Sequence, residues 1–275
     1  MIEFGKVIKV YRKERKLTQK ALANGICSQS VLSRIESGEE IPNVLVLKKL
    51  CDKLEISMDN LLSYAKKETR EVQDFFELLW VYFRSQDINL LKETMEDSAI
   101  SSKLVTVKEK QIFLFFEGFL TLELDKDYKQ VTQIVTQALD LSYYSSKKQL
   151  SFIELMILAI RAQAYYKMNL IELAQNDFYK AMESIHVLPK ESQEAELSIL
   201  FYYFSDFLYA LGQFSESQIH IKQGIRWLRN FESIFYLEKI LLLNARILMK
   251  NKEENEANIY QTLAQDLNRL CRFLG

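Results

Sequence analysis

The chain has 275 residues, 48% of them apolar, with only 7 Gly and 2 Pro and a formal net charge of −1. Strand-rich folds need many tight turns, and turns draw on Gly and Pro, so this scarcity argues against a sandwich or barrel and for long helices joined by short polar loops. The densest apolar segment, residues 155–160, is far short of the roughly 20 residues of a membrane span, and Lys6 and Lys9 interrupt any leader-like run at once.

The near-neutral total hides an asymmetry. Residues 1–65 carry eleven Lys/Arg against eight Asp/Glu, whereas the remainder carries 25 against 29. Glycine is concentrated in the same stretch, at Gly5, Gly25 and Gly38. Five short helices are expected there. Residues 3–15 carry Phe4, Ile8 and Tyr11 at helical spacing. Thr18 caps a helix over about 19–24, a tight turn runs through Gly25, Ile26 and Cys27, and Ser28 caps a helix over about 29–37 that ends at Gly38. Pro42 and Asn43 open a fourth helix, read with Val44, Leu47, Leu50 and Leu54 inward, and residues 58–64 form a fifth.

Two short helices joined by a tight turn, after a basic first helix, make a helix-turn-helix arrangement. The run Leu17-Thr18-Gln19-Lys20, with Leu22-Ala23, followed by Ser28-Gln29-Ser30-Val31-Leu32-Ser33-Arg34-Ile35-Glu36-Ser37-Gly38, closely resembles the phage-repressor-like (Xre/Cro) class over residues 4–62. The turn is one residue shorter than in the commonest version. On the third helix Val31, Leu32 and Ile35 form the apolar side and leave Gln29, Ser30, Ser33 and Arg34 outward, with Ser28 at the leading edge. Gln can bond adenine bidentately and Arg guanine, from a helix laid in the major groove. The resemblance implies a phosphate contact at Gln19 and a structural Arg12–Glu36 pair. Lys6, Lys9, Lys13, Lys16 and Lys20 can add backbone charge without sequence information.

Beyond residue 65 the pattern is one of helix pairs, at about 70–84 with 87–98, 107–124 with 127–141, 149–168 with 170–187, 191–211 with 213–229, and 232–250 with 253–273. Three of them echo one another. Ala162, Tyr165, Ala174, Phe178 and Ala181 match Ser205, Leu208, Ser217, Ile221 and Gly224, and then Ala245, Leu248, Ala257, Gln261 and Ala264. This is a degenerate tetratricopeptide pattern with longer helices than usual. The expected architecture is all-α: a five-helix phage-repressor-like domain at 1–65, a linker helix at 66–72, and at 73–275 a right-handed superhelix of about five tetratricopeptide-like pairs. Such a superhelix has a concave inner surface lined by the first helix of each pair. The pattern aims Phe116, Leu120, Gln163, Tyr166, Lys167, Tyr202, Asp206, Tyr209, Lys239 and Arg246 inward, with Asn244 nearby; Phe116 and Leu120 read as core before pocket. Amides can hold peptide backbone, and aromatic side chains can form pockets.

The combination of this head with these repeats resembles the Rgg, PlcR and PrgX regulators of Gram-positive bacteria, the PlcR branch above all. That resemblance implies a cytoplasmic homodimer that binds a palindromic DNA operator and, in its repeats, a short signalling peptide of a quorum-sensing circuit. A regulator whose repeats bind a protein partner, or serve only for dimerisation, is the alternative. The three separated cysteines (Cys27, Cys51, Cys271) and two isolated histidines form no metal-ligand spacing. No nucleophile motif or phosphate loop is present either, so neither a cofactor nor an enzyme is expected.

Overall fold

A computed structural model of the chain describes residues 4–64, 67–96, 99–144 and 146–274. Among them the regular elements are all helical. The chain divides into two compact units, Met1–Phe75 and Phe76–Gly275.

In the first unit, α1 (Phe4–Glu14), α2 (Gln19–Ala23), α3 (Gln29–Ser37), α4 (Val44–Lys53) and α5 (Met58–Tyr64) follow in order. Their starts are set by side chains that accept orphan backbone N–H groups: Thr18 from Ala21, Ser28 from Val31, and Asn43 from Val46. Gly38, at φ +82°, ends α3 in the left-handed conformation that its missing Cβ permits. Val7, Ile8, Leu22, Leu32, Ile35, Leu47, Leu50 and Leu54 interlock beneath these caps. Gly5 lets α1 cross α3 closely; a Cβ there would stand 1.7 Å from the Ile35 carbonyl oxygen. One expectation is corrected: Val44 is 74% exposed, not inward, because the inward face of α4 begins at Leu47.

A single helix, α6 (Lys67–Ser85), carries the chain from one unit into the next, so the expected linker at 67–72 is its first turns; residue 66 lies outside the described residues. The second unit continues with α7 (Ile88–Glu96), α8 (Val107–Leu120), α9 (Tyr128–Asp140), α10 (Phe152–Lys167), α11 (Ile171–Ile185), α12 (Ser198–Ala210), α13 (Phe214–Asn230), α14 (Leu237–Lys250) and α15 (Glu254–Leu274). The helices α8, α10, α12 and α14 lie side by side, and each packs against its successor α9, α11, α13 or α15. The repeat positions do what the pattern implied. Ala162, Ala174, Ala181, Ser205, Ser217, Gly224, Ala245, Ala257 and Ala264 are buried where helices approach. The Ser217 hydroxyl donates to the Ser205 carbonyl at 2.8 Å, closing one such approach. The segment read as one helix over 107–124 is α-helical to Leu120 and then widens to a π-turn over Thr121–Asp125.

Two ion pairs fasten α10 to the loop before it and to α11. Glu154, fully buried at the start of α10, accepts Lys147 Nζ at 2.7 and 3.0 Å, the Ser142 hydroxyl at 2.7 Å and the Ser151 backbone N–H at 2.8 Å. Arg161 of α10 grips Asp177 of α11 with two hydrogen bonds of 2.6 and 2.8 Å. Burying a charge is costly unless its hydrogen-bonding capacity is filled, and here it is.

Candidate nucleic-acid interface and inner groove

In the first unit a chain of side-chain hydrogen bonds runs from the core to the outer face of α3. Arg12 donates to Glu36 through Nε (2.6 Å) and a terminal nitrogen (2.8 Å), and its other terminal nitrogen donates to the Leu17 carbonyl at 2.8 Å. Gln19 donates its amide to Glu36 at 3.0 Å, and Gln29 in turn donates to Gln19 Oε1 at 2.8 Å. Burial alone would raise the Glu36 carboxyl, but the bonds from Arg12 and Gln19 prevail and hold it below the ordinary carboxylate value; the same carboxylate raises the Arg12 guanidinium.

The network leaves Gln29 exposed, with its amide oxygen and one amide hydrogen uncommitted within it, beside exposed Ser28 and Ser30. Lys20 is exposed, while Gln19 and Ser33 are half-buried. The two serine hydroxyls lie 2.9 Å apart. Arg34 points outward but is engaged: its Nε donates to Glu40 at 2.9 Å. That pair is surface-exposed and worth at most about 1 kcal/mol, so a guanine edge or a phosphate can displace it.

In the second unit, six of the eleven residues expected in or beside the groove come together at one patch on α10, α12 and α14. Asp206 is its centre. Arg246 donates to it at 3.1 Å, and Lys167 Nζ stands 3.9 Å away. Lys167 lies over the Tyr166 ring at 4.5 Å and Arg246 over Tyr209 at 5.2 Å. Tyr202 is pushed up to about 12, first by burial and then by Asp206.

Four of the others are placed differently. Phe116 has no exposed surface; it packs against Trp80, Phe83 and Phe115 and is core, which corrects the inward assignment. Leu120, the neighbouring expectation, is buried too. Gln163 and Asn244 are buried at 6% and 5% exposure, and among the described residues Gln163 Oε1 has no hydrogen-bond partner. A buried amide oxygen left unsatisfied is costly, and burial keeps Gln163 off the exposed patch.

Residues 8–61 match a family model described as Helix-turn-helix. The first unit is a helix-turn-helix DNA-binding domain. No curated protein sequence matches the chain. Among solved structures the chain is similar to Bacillus thuringiensis PlcR in complex with the peptide PapR7 and DNA, at 18% identity and a TM-score of 0.70, over 99% of this chain and 98% of that one. It is also similar to the apo competence regulator ComR of Streptococcus vestibularis (17% identity, TM-score 0.53, 96% and 90% covered). A third is the Streptococcus dysgalactiae pheromone receptor Rgg2 (16% identity, TM-score 0.51, 97% and 93% covered). At these identities the likeness is one of fold: a helix-turn-helix domain followed by paired helical repeats.

Next to the Asp206 patch are groups that sequence reasoning missed. Tyr203 donates to Glu123 at 3.0 Å, and Tyr236, fully buried, stacks edge-on to Tyr202 at 5.5 Å. Glu123 sits in the π-turn and Tyr236 at positive φ just before α14. Neither local conformation is announced by residue type, because both Leu-rich flanks read as ordinary helix. Among the described residues no cluster of His, Cys, Asp or Glu is arranged to hold a metal, and no helix is long and apolar enough to cross a membrane.

Proposed function

We propose that this chain is a cytoplasmic, sequence-specific transcription regulator whose repeat unit binds a short signalling peptide and thereby alters DNA binding. The helix-turn-helix domain lays α3 in the major groove. Gln29, Ser30, Ser33 and Arg34 meet base edges there, Ser28 approaches at the leading edge, and Gln19 and Lys20 meet phosphate. The observation that carries the sensing half is the Asp206 patch: a carboxylate between two cations, flanked by Tyr166, Tyr202 and Tyr209, on three adjacent helices. Such a patch offers donors, acceptors and ring faces to an extended backbone, which a core contact has no use for. The fold shared with PlcR, a protein captured with both peptide and DNA, supports the same reading.

Two recognition helices of a homodimer facing successive major grooves, roughly 34 Å apart, would read a palindromic operator. A peptide shifts this arrangement only through a difference in affinity between two shapes of the repeat unit. The continuous helix α6 is the element that transmits it. The test is fluorescence anisotropy of labelled DNA from beside the gene, with and without peptides encoded by adjacent small reading frames. Salt-dependent binding that changes with one peptide supports the proposal; binding indifferent to all of them removes the sensing half. A dimerisation role for the repeats is favoured by one feature, the exposed Ile259, Leu263 and Leu270 on α15. Light scattering of the full chain, with and without charge substitutions at these positions, tests it.

A further inference from the structure

Beside the Asp206 patch the second unit contains a cavity of about 190 Å³. Its walls are Phe83, Ile88, Leu91 and Phe119. Its polar lining comes from Gln86, Glu123, Tyr236 and Lys239. An apolar cavity of about 150 Å³ accommodates benzene, so this one has room for a single ring-sized or leucine-sized side chain.

Lys239 is what makes the cavity more than a packing defect. It is half-buried, and among the described residues its ammonium makes no hydrogen bond or ion pair, although the Glu123 and Glu238 carboxylates act on it through space. It lies over the Tyr236 ring at 4.1 Å and near the Tyr202 ring at 6.0 Å. Two aromatic faces stabilise the positive charge but leave its three N–H donors unused. Glu123, the carboxylate nearest in the same cavity, already accepts the Tyr203 hydroxyl. The Tyr236 hydroxyl is buried, with Tyr203 beside it. An anion brought to Lys239 would meet unspent donors; burial holds its ammonium pKa below the ordinary value, although Glu123 and Glu238 pull it up.

Resting on the peptide-binding reading above, we infer that this cavity receives the carboxy-terminal residue of the peptide, its large apolar side chain among Phe83, Ile88, Leu91 and Phe119 and its free carboxylate on Lys239. An α-carboxylate and a side chain diverge from one Cα, which suits one cation at the rim of a one-residue cavity. An internal acidic residue would need a second side chain to fill the apolar part. Tyr202 touches both this cavity's rim, through Tyr236 and Lys239, and the Asp206 patch four residues along its own helix. The peptide backbone therefore has a continuous path from patch to cavity.

Random-sequence heptapeptide pools with a fixed carboxy-terminal Phe or Ala, each made as free acid and as carboxamide, are incubated with the full-length protein and the retained peptides quantified by mass spectrometry. The free-acid Phe pool should be retained roughly tenfold or more over its carboxamide, the scale of one charge-assisted hydrogen bond, and over the Ala pool. Lys239→Met should abolish the acid preference and Leu91→Trp, which fills the cavity, the Phe preference, with circular dichroism confirming both folds. Equal retention of acid and amide by the unaltered protein overturns the inference while leaving peptide binding intact. Enrichment of internal Asp or Glu in the amide pool overturns it too. Retention of no pool at all removes both the inference and the reading it rests on.

Discussion

Gln29, on the exposed leading turn of α3, donates its side-chain amide to Gln19 at 2.8 Å. Gln19 is itself held by Glu36, and Glu36 by Arg12. A solvent-facing side chain is thus oriented by three others that lead back to the core. Holding a glutamine in one rotamer before DNA arrives removes part of the ordering cost of recognition. It also links base reading to the stability of the domain, which gives the first prediction.

Arg12→Met should destabilise the first unit by about 3–5 kcal/mol, since it strands the buried Glu36 carboxylate. The double substitution Arg12→Met with Glu36→Met should recover much of that loss, because no charge is then left without a partner. Urea denaturation followed by circular dichroism measures both. A double variant no more stable than the single would show that the pair's worth lies in packing rather than in charge.

Gln29→Ala and Gln19→Ala should separate two roles. The first should cost about 1–3 kcal/mol of discrimination at one base pair of the operator. The second should weaken binding to all sequences, through the proposed phosphate contact, and also blur discrimination at that base pair by freeing Gln29. Lys20→Ala should only flatten the dependence of log affinity on log salt, by about 0.9 for each phosphate it no longer neutralises. Anisotropy titrations on matched and mismatched operators, at several salt concentrations, distinguish the three patterns.

Acid should loosen both units. Glu36 and Glu154 are each held below the ordinary carboxylate value of 4.5; in both, burial opposes the shift and hydrogen bonds from Arg12 and Gln19, or from Lys147 and the serines, outweigh it. A carboxylate with a depressed folded-state pKa contributes stability that is present above the unfolded value and lost as pH falls towards the folded one. The urea midpoint should therefore drop as pH falls below about 4.5, and Glu154→Gln, though less stable at neutral pH, should show a shallower drop. An unchanged slope in that variant would assign the acid sensitivity elsewhere.

Gly5→Ala should be among the most damaging small substitutions in the first unit. The added methyl would stand 1.7 Å from the Ile35 carbonyl oxygen, so α1 must move off α3. Overpacking of this kind costs about 1–3 kcal/mol and occasionally more. Differential scanning calorimetry should find the first transition lowered and the second unmoved.

Much of this protein is legible in its residue order because it depends on neighbours in sequence. Capping by Thr18, Ser28 and Asn43, the stop at Gly38 and the 3.6-residue spacing of apolar side chains place the helices. Recurring small residues, from Ala162 to Ala264, announce where helices approach. The Val44 and Phe116 assignments went astray for one reason. Periodicity ranks faces within a helix, but what covers a face is set by elements distant in sequence. Val44 starts its helix with nothing laid over it, and Phe116 is enclosed by Trp80, Phe83 and Phe115.

The sequence by itself determined an all-helical chain with a helix-turn-helix head, and it pointed to six residues that lie together around Asp206. Only the tertiary structure decided that Gln19 holds Gln29, that Asp206 lies between Lys167 and Arg246, and that Lys239 reaches a cavity with its donors unspent. Those facts join residues far apart in the chain. Helical spacing decides which way a side chain faces along its own helix, whereas the partner it meets is chosen by packing between helices, which no local pattern encodes.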